Sequence, residues 1–198
     1  QWVTLPDTTT LLAAVQGGKS QDTSMSFTPT SGVPMGTRSG DLDPGLIGHL
    51  ARTEQMSPQR FEKMVSLESG LLGISETSSD MRALLTRETQ DVRAAEAVAL
   101  YCYQVEKWIG AFAAALGGID ILIFAGGIGE NAPAVRSRIV DGLEFLGIDL
   151  DQTLNARNAP LMSPNGARVK VRVIRTDEQL MIARSVARIL GIIQEPRI

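Results

Sequence analysis

The segment IDILIFAGG, residues 119–127, places the strongest constraint on how this chain can fold. A strand that is apolar at consecutive positions carries hydrophobic side chains on both faces, so its sheet must be covered on both sides. Layers of helices supply that cover in α/β proteins. The glycines that end the segment predict a tight turn into a following helix. We therefore expect an α/β domain in which this strand is buried on both faces.

Patterns elsewhere in the chain predict the remaining strands. Residues 11–28 predict two strands around a turn at Gly17-Gly18. Residues 169–177, VKVRVIRTD, predict another strand, with one more exposed face. Residues 28–45 are rich in glycine, proline, serine and threonine, which predicts a long loop of the kind that often carries function. Together these segments indicate a mixed sheet.

Capping residues and apolar periodicity predict the helices. The longest is expected to be apolar on most faces, which is typical of a helix buried between layers or in a dimer interface. The element order is hairpin, helices, strand, helix, strand, helix. The expected helices run from about Pro44 to Arg52 after Asp43, from Pro58 after Ser57, from a cap at Ser78, Ser79 or Asp80, from about Asp91 to Leu116, from about Pro133 to Leu146 after Asn131, and from Asp177.

Composition excludes several classes of function. The formal net charge is −3, so the chain has no basic excess with which to bind a nucleic acid backbone. No apolar run reaches the roughly 18 residues that span a bilayer, so we expect no membrane partner. The single cysteine, Cys102, excludes an internal disulfide and fits the reducing cytoplasm. The lone histidine, His49, excludes a multi-histidine metal site within one chain.

The segment MGTRSGD, residues 35–41, places one arginine in the glycine-rich loop. A guanidinium group is planar, stays charged and offers a fork of donors that fits phosphate or carboxylate. Gly36 and Gly40 allow the backbone to approach a ligand closely. Arg38 is therefore a candidate phosphate ligand. The alternative is that Arg38 pairs with Asp41 or Asp43 and holds the loop in place.

In two further segments, the end of a predicted strand carries groups that could bind a phosphate or a cation. In AGGIGEN, residues 125–131, a strand, a glycine turn and a helix start predict a place for phosphate oxygens. It matches neither the dinucleotide fingerprint nor the P-loop, and a tight packing turn is the alternative. In VIRTDEQ, residues 173–179, Asp177 and Glu178 could hold Mg²⁺. A helix-capping pair is the alternative there.

Taken together, four segments resemble the acetate kinase family, which includes the propionate kinases. They follow in the family's order and extend the resemblance from about Leu11 to Leu190. The segments are DTSMSFTPTSGVPMGTRSGDLDPG at residues 22–45, SSDMR at 78–82, FAGGIGENAPAVR at 124–136 and RTDEQLMIAR at 175–184.

The resemblance implies a fold and an activity. The family belongs to the actin, Hsp70 and sugar-kinase superfamily, so it implies a ribonuclease H-like mixed sheet with flanking helices in each of two domains, with a cleft between them. Residues 1–198 would then form the C-terminal nucleotide-binding and dimerisation domain, without the N-terminal domain. The implied reaction moves the γ-phosphoryl group of ATP, with Mg²⁺, to acetate or propionate, giving an acyl phosphate and ADP. The implied partner is a second copy in a cytoplasmic homodimer.

The resemblance also implies residue roles. Arg38 matches the arginine that holds the transferring phosphoryl group, and Glu178 matches the catalytic glutamate that places Mg²⁺. A second set of positions would bind ATP or ADP, and the family commonly has phenylalanine at the second of them. These positions are Asp80, Met81, Arg82, Gly127, Ile128, Gly129, Glu130 and Asn131.

The chain also departs from the family pattern. Where the family carries HLGNG beside the ATP phosphates, this chain reads LPDTT, Leu5 to Thr9, and Asp7 places a negative charge there. The acetate pocket, a second arginine and a catalytic histidine belong to the family's N-terminal domain. We therefore expect little or no kinase activity from the isolated chain. The alternative function is a non-catalytic, dimerising nucleotide-binding module left by truncation.

Overall fold

A five-stranded mixed sheet forms the centre of the fold. The computed structural model of the chain describes residues 1–5 and 11–193. The strands are β1 (Trp2–Leu5), β2 (Ala13–Gln16), β3 (Lys19–Thr23), β4 (Ile121–Phe124) and β5 (Lys170–Val173). Their order in the sheet is β3-β2-β1-β4-β5, and β2 runs antiparallel to the other four. The predicted hairpin and mixed sheet are confirmed. Strand β1 was not predicted, because four residues give too short a pattern to distinguish a strand from a loop.

The predicted apolar strand is buried as expected. In β4, Leu122 pairs in parallel register with Val3 of β1 and with Val171 of β5. All three side chains are fully buried, and Phe124 at the end of β4 is 1% exposed. Because β4 lies between two parallel neighbours and is covered on both faces, its backbone donors and acceptors are paired and its side chains form core.

Helices surround the sheet. They are α1 (Gly45–Thr53), α2 (Pro58–Leu67), α3 (Gly70–Ser75), α4 (Met81–Arg87), α5 (Val92–Leu116), α6 (Gly126–Asn131), α7 (Pro133–Val140), α8 (Gln152–Ala156) and α9 (Glu178–Ile189), with a 3₁₀ turn at Glu144–Leu146. The long helix α5 packs against α3, α4, α7 and β2. Its buried face includes Cys102, which acts as a small apolar core residue.

Several predicted helix starts are confirmed by side-chain caps. The Ser57 hydroxyl accepts a hydrogen bond from Arg60 N at 3.2 Å, and Pro58 occupies the first helical position. Asp80 caps α4 and Asp91 caps α5 through their carboxylate oxygens. Helix α1 begins at Gly45, one residue later than expected, behind Pro44 as its N-cap residue.

The helix predicted over residues 133–146 begins at Pro133 as expected, but its predicted end and its predicted Asn131 cap are wrong. Asn131 is the last residue of α6, and α7 ends at Val140. Pro133 separates the two helices, because it lacks an N–H donor and disfavours helical geometry in the residue before it. Ala132 accordingly has φ −116° and ψ 77°.

Backbone hydrogen bonds from α2 and α3 hold the long loop of residues 28–45. Leu71 N donates to Met35 O at 2.8 Å, and Ser69 N donates to Thr37 O at 2.9 Å. Ser39 N donates to the carbonyl of Val65 at 2.9 Å. These hydrogen bonds involve residues on both sides of Arg38, so the backbone around Arg38 is fixed against the helices.

Gly70 makes this close approach possible, and replacing it tests the attachment. Its φ is +61°, and a Cβ atom there would collide with Met35 O and lie 2.6 Å from Arg38 O. We expect Gly70→Ala to lower the free energy of unfolding by about 2 to 4 kcal/mol, since strain and overlap add. The measurement is urea unfolding of the purified chain.

Gly166→Ala is the matched control for that substitution. Gly166 also has a positive φ, +84°, but no atom lies within 4 Å of the added Cβ. Backbone strain alone should cost about 1 kcal/mol. Equal losses in the two variants would show that backbone conformation, and not contact with the loop, sets the cost at Gly70.

Candidate functional site

A cavity of about 390 Å³ lies where the loop, α4, α6 and α7 meet. Met35 and Gly36 line it from the loop, and Val135, Arg136 and Ile139 line it from α7. The remaining lining includes the predicted nucleotide-binding positions Asp80, Met81, Arg82, Gly127, Ile128, Gly129 and Asn131. The structure thus brings together two segments that lie far apart in the sequence. Glu130 is absent from the lining residues.

Apart from Arg136, the buried lining of the cavity is mostly apolar, and its rim is polar. Met81, Tyr101 and Phe124 line it with 3% or less of their surface exposed. Asp80 and Arg82 lie at the rim, where their side chains form an exposed ion pair at 3.5 Å. Apolar and aromatic walls with a few polar groups are typical of sites for a flat organic ring.

Glu130 connects two parts of the site. Its Oε1 accepts hydrogen bonds from Gly126 N at 3.1 Å and from Thr176 N at 3.0 Å. The first contact is at the start of α6, and the second is in the segment just before α9. The carboxylate therefore fixes the AGGIGEN segment against the RTDEQ segment.

The predicted glycine turn has a different local structure from the one expected. Residues Gly126–Asn131 form a single short helix, α6, directly after β4. Gly126 has φ +71°, a conformation that residues with a side chain rarely adopt, so glycine allows the sharp entry into the helix. Its N–H already donates to Glu130, so this donor is not available to phosphate oxygens in this arrangement.

Arg38 lies next to the cavity and does not line it. Its Nη1 is 3.4 Å from Pro29 O and 3.6 Å from Met35 Sδ, which are long contacts. Within residues 1–5 and 11–193, no carboxylate whose side chain is described pairs with it. Asp41 Oδ1 accepts from Gly32 N at 2.8 Å, and Asp43 Oδ1 accepts from Gly45 N at 2.6 Å. The two aspartates that could have held Arg38 therefore bind backbone donors instead.

Two predicted segments fall partly outside the described structure. Glu178 is the first residue of α9, and its side chain is not among those described, whereas Asp177 caps α9 by accepting from Leu180 N at 2.8 Å. The side chain of Leu5 and the whole of residues 6–9, which stand where the family has HLGNG, also lie outside the described part. Among the side chains that are described, no group of three or more His, Cys, Asp or Glu could hold a metal.

Arg136 is a site residue that the sequence analysis missed. Its side chain is fully buried and donates four hydrogen bonds to neutral oxygens. Nε donates to Asn155 Oδ1 and Nη1 to Gly129 O, both at 2.8 Å, while Nη2 donates to Asn155 O at 2.8 Å and Asn158 Oδ1 at 2.6 Å. Burial lowers the pKa of Arg136 to about 10. The sequence does carry a signal for its burial. Arg136 precedes Ile139 and Val140 by three and four residues, so it lies on the same face of α7 as these two apolar residues.

Comparisons with known proteins identify relatives that match most of this chain. The sequence profile of the Acetokinase family matches residues 8–184. A propionate kinase of Citrobacter rodentium is 47% identical over 179 residues, and an acetate kinase of Solibacter usitatus is 46% identical over 184 residues. Each match covers 90% of this chain and 44% of the relative. The chain therefore spans a little under half the length of these curated relatives.

Solved structures of acetate and propionate kinases share the fold of this chain. The crystal structure of Porphyromonas gingivalis acetate kinase matches with a TM-score of 0.90 and 36% identity, over 96% of this chain and 49% of that one. A propionate kinase from Francisella tularensis matches with a TM-score of 0.87 and 33% identity, over 92% and 48%. The predicted ribonuclease H-like, actin-like α/β fold is confirmed.

Among residues 1–5 and 11–193, no helix has the length and apolar character needed to cross a bilayer.

The contacts of Arg136 predict a large cost for even a conservative substitution. Lysine keeps a positive charge but has no planar fork of donors, so it would leave buried oxygens without partners. We expect Arg136→Lys to lower the free energy of unfolding by about 2 to 3 kcal/mol, measured by urea unfolding.

Arg138→Lys, two residues along the same helix, is the control. Arg138 binds both carboxylate oxygens of Glu88 at 2.7 and 2.8 Å, but 42% of its side chain is exposed. An exposed ion pair contributes about 0 to 1 kcal/mol to the free energy of unfolding, so Arg138→Lys should lower it by no more than that. If Arg136→Lys proves as mild as this control, the buried hydrogen bonds do not stabilise the site.

Proposed function

This chain belongs to the acetokinase family, and on that premise we propose that it is the nucleotide-binding half of a carboxylate kinase. The reaction would move the γ-phosphoryl group of ATP to a short carboxylate, acetate or propionate. The observation that carries the proposal is the cavity, which joins the SSDMR segment to the AGGIGEN segment beside the loop that holds Arg38. We also propose, from the resemblance of these motifs, that the chain corresponds to the C-terminal domain of the family.

The cavity fits the adenosine part of ATP by size and by chemistry. Its volume of about 390 Å³ lies within the range of small-molecule pockets. Its apolar interior suits a flat base, and Asp80, Arg82 and Asn131 offer polar contacts to a base or ribose. We assign adenosine binding to these groups and to the backbone of Gly127–Gly129.

Arg38 supplies the charge that phosphoryl transfer requires. A carboxylate oxygen attacks the γ-phosphorus and the bond to the ADP oxygen breaks, so the products are an acyl phosphate and ADP. Negative charge spreads over the transferring group as this happens, and a positioned guanidinium stabilises it. The long contacts of Arg38 leave its donors available for that role. Mg²⁺, when bound, would neutralise phosphate charge, and Glu178 is the residue proposed to hold it.

Two further properties belong to the proposal. We place the protein in the cytoplasm, which the single buried thiol of Cys102 supports. We also propose a homodimer that uses the outer face of α5. Tyr103 is 56% exposed there, and Leu100 and Trp108 line a second cavity of about 530 Å³ between α5 and the loop.

The second candidate function is a nucleotide-binding module without catalysis. The sequence LPDTT at the family's HLGNG position favours it, because Asp7 would repel phosphate. The two candidates differ in activity and share nucleotide binding, so separate experiments address the two properties.

Nucleotide binding is tested by calorimetric titration with ADP. We expect Arg82→Ala to weaken binding about tenfold, the size of one lost charge-assisted hydrogen bond. Arg87→Ala, at the other end of α4, removes the same charge away from the cavity and should change the Kd by less than about twofold. Equal effects of the two substitutions, or none, would contradict the assigned site.

Catalysis is tested by trapping acyl phosphate as hydroxamate, with ATP, Mg²⁺ and acetate or propionate. The chain is assayed alone and with the part of the Porphyromonas gingivalis acetate kinase that it does not match. We expect turnover only when the two parts are mixed, and none from the chain by itself. In the mixture, Arg38→Ala should lower kcat by about 10² to 10³-fold. Arg52→Ala on α1 is the control and should leave kcat unchanged. ADP binding without turnover in the mixture would favour the non-catalytic module.

A further inference from the structure

Glu130 is expected from the family resemblance to contact the nucleotide, yet its carboxylate points elsewhere. It is absent from the residues that line the cavity. Its Oε1 accepts hydrogen bonds from Gly126 N at 3.1 Å, from Thr176 N at 3.0 Å and from the Thr176 hydroxyl at 3.4 Å. Gly126 is the first residue of α6, and Thr176 lies between β5 and α9. We name these three contacts the Glu130 clasp.

The α6 side of the clasp belongs to the cavity wall. Residues 127–129, which follow Gly126 directly, line the cavity. The buried side chain of Arg136 holds the end of this stretch by donating to Gly129 O at 2.8 Å. A ligand that packs against residues 127–129 therefore opposes displacement of α6, because any local opening of α6 would also cost the free energy of the ligand contacts. The Gly126 contact of the clasp is stabilised in the same way.

The other side of the clasp lies where α9 begins. Ile174 N donates to Phe124 O at 2.9 Å, so the chain is still attached to the end of β4 at that residue. Asp177 caps the first turn of α9. Thr176 lies between these two attachments, and Glu130 holds it. Every described α9 side chain but one is exposed, so within the described structure the position of the helix depends on the contacts at its start.

We propose that Glu130 is a positioning residue that transmits occupancy of the nucleotide cavity to the start of α9. The inference rests on the proposed function, because it takes the cavity to be the nucleotide site. When the cavity is filled, α6 is held in place, and the clasp then holds residues 174–177 against it. The candidate site residue Glu178, which follows Thr176 by two positions, is thereby fixed relative to the cavity. Glu130 itself acts through these groups and does not touch the nucleotide.

The geometry of the clasp predicts that the length of the side chain matters more than its charge. The donors all meet one oxygen, and an amide oxygen accepts the same hydrogen bonds as a carboxylate oxygen. Glu130→Gln should therefore keep the clasp. Glu130→Asp keeps the charge but is shorter by one carbon–carbon bond, about 1.5 Å, which breaks contacts that are already 3.0 and 3.1 Å long. The two variants separate reach from charge.

Amide hydrogen exchange of the purified chain, read by mass spectrometry of its peptides, tests the proposal. Peptides that include residues 174–177 report on the clasp. Peptides from β3, an exposed edge strand far from the clasp in the sheet order, are the reference. ADP is added at about ten times the Kd measured for each protein by calorimetry, so that occupancy is equal. Glu96→Ala, which removes an exposed carboxylate from α5, is the control variant.

We expect ADP to slow exchange over residues 174–177 by up to about tenfold in the wild type, in Glu130→Gln and in Glu96→Ala. A ligand at about ten times its Kd stabilises the form that binds it by that factor. In Glu130→Asp the slowing should be less than about twofold, because the segment then opens without disturbing the cavity. Without nucleotide, exchange over residues 174–177 should be about three- to tenfold faster in Glu130→Asp than in the wild type, the size of one lost hydrogen bond. Exchange in β3 should be the same in all four proteins.

Three results would overturn the proposal. Equal slowing by ADP in Glu130→Asp and in the wild type would show that the coupling does not pass through Glu130. Slowing that survives in Glu130→Asp and is lost in Glu130→Gln would show that charge, and not the clasp, transmits it. ADP binding without slowing in the wild type would show that the start of α9 does not respond to the cavity. Absence of ADP binding in every protein would instead overturn the proposed function and the coupling with it, and the comparison without nucleotide would then still show whether Glu130 holds the start of α9.

Discussion

The buried guanidinium of Arg136 is the contact on which the geometry of the cavity depends. It joins the carbonyl of Gly129 in α6 to Asn155 in α8 and to Asn158 just beyond. Burying this charge among neutral oxygens costs free energy, which its lowered pKa reflects. Four short hydrogen bonds offset that cost, and arginine alone has the planar set of donors to make them. The wall of the cavity is therefore held by one side chain whose removal would leave several buried acceptors unpaired.

Two other sets of contacts complete this support. Glu130 fixes the start of α6 against Thr176, and backbone hydrogen bonds from α2 and α3 fix the loop around Arg38. These contacts hold segments in place without occupying the cavity. The proposed nucleotide groups are thus presented by rigid elements, and Arg38 itself makes weak contacts. Rigid support with an available cation fits a site that works by positioning and electrostatics.

Much of the local structure was predictable because local signals determine it. Ser57, Asp80 and Asp91 mark helix starts, since a short polar side chain can accept a hydrogen bond from the first helical turn. The apolar run of β4 predicted a strand covered on both faces, since its side chains alternate between the two. The prediction was wrong at Asn131, where a helix already in progress overrode the capping preference. It missed Arg136, because a lone arginine on a helix reads as a surface residue unless its neighbours in space are known.

The sequence by itself determined the α/β class, the family and the starts of the longer helices, because these follow from the order of side chains along a few turns of chain. Only the tertiary structure decided which groups meet. It brought Asp80 and Arg82 to the same cavity as Gly127 and Gly129, and it turned Glu130 away from that cavity toward Thr176. It also left the apolar side of α9 exposed within the described residues. Contacts between distant segments depend on how elements pack, and no local pattern encodes that arrangement.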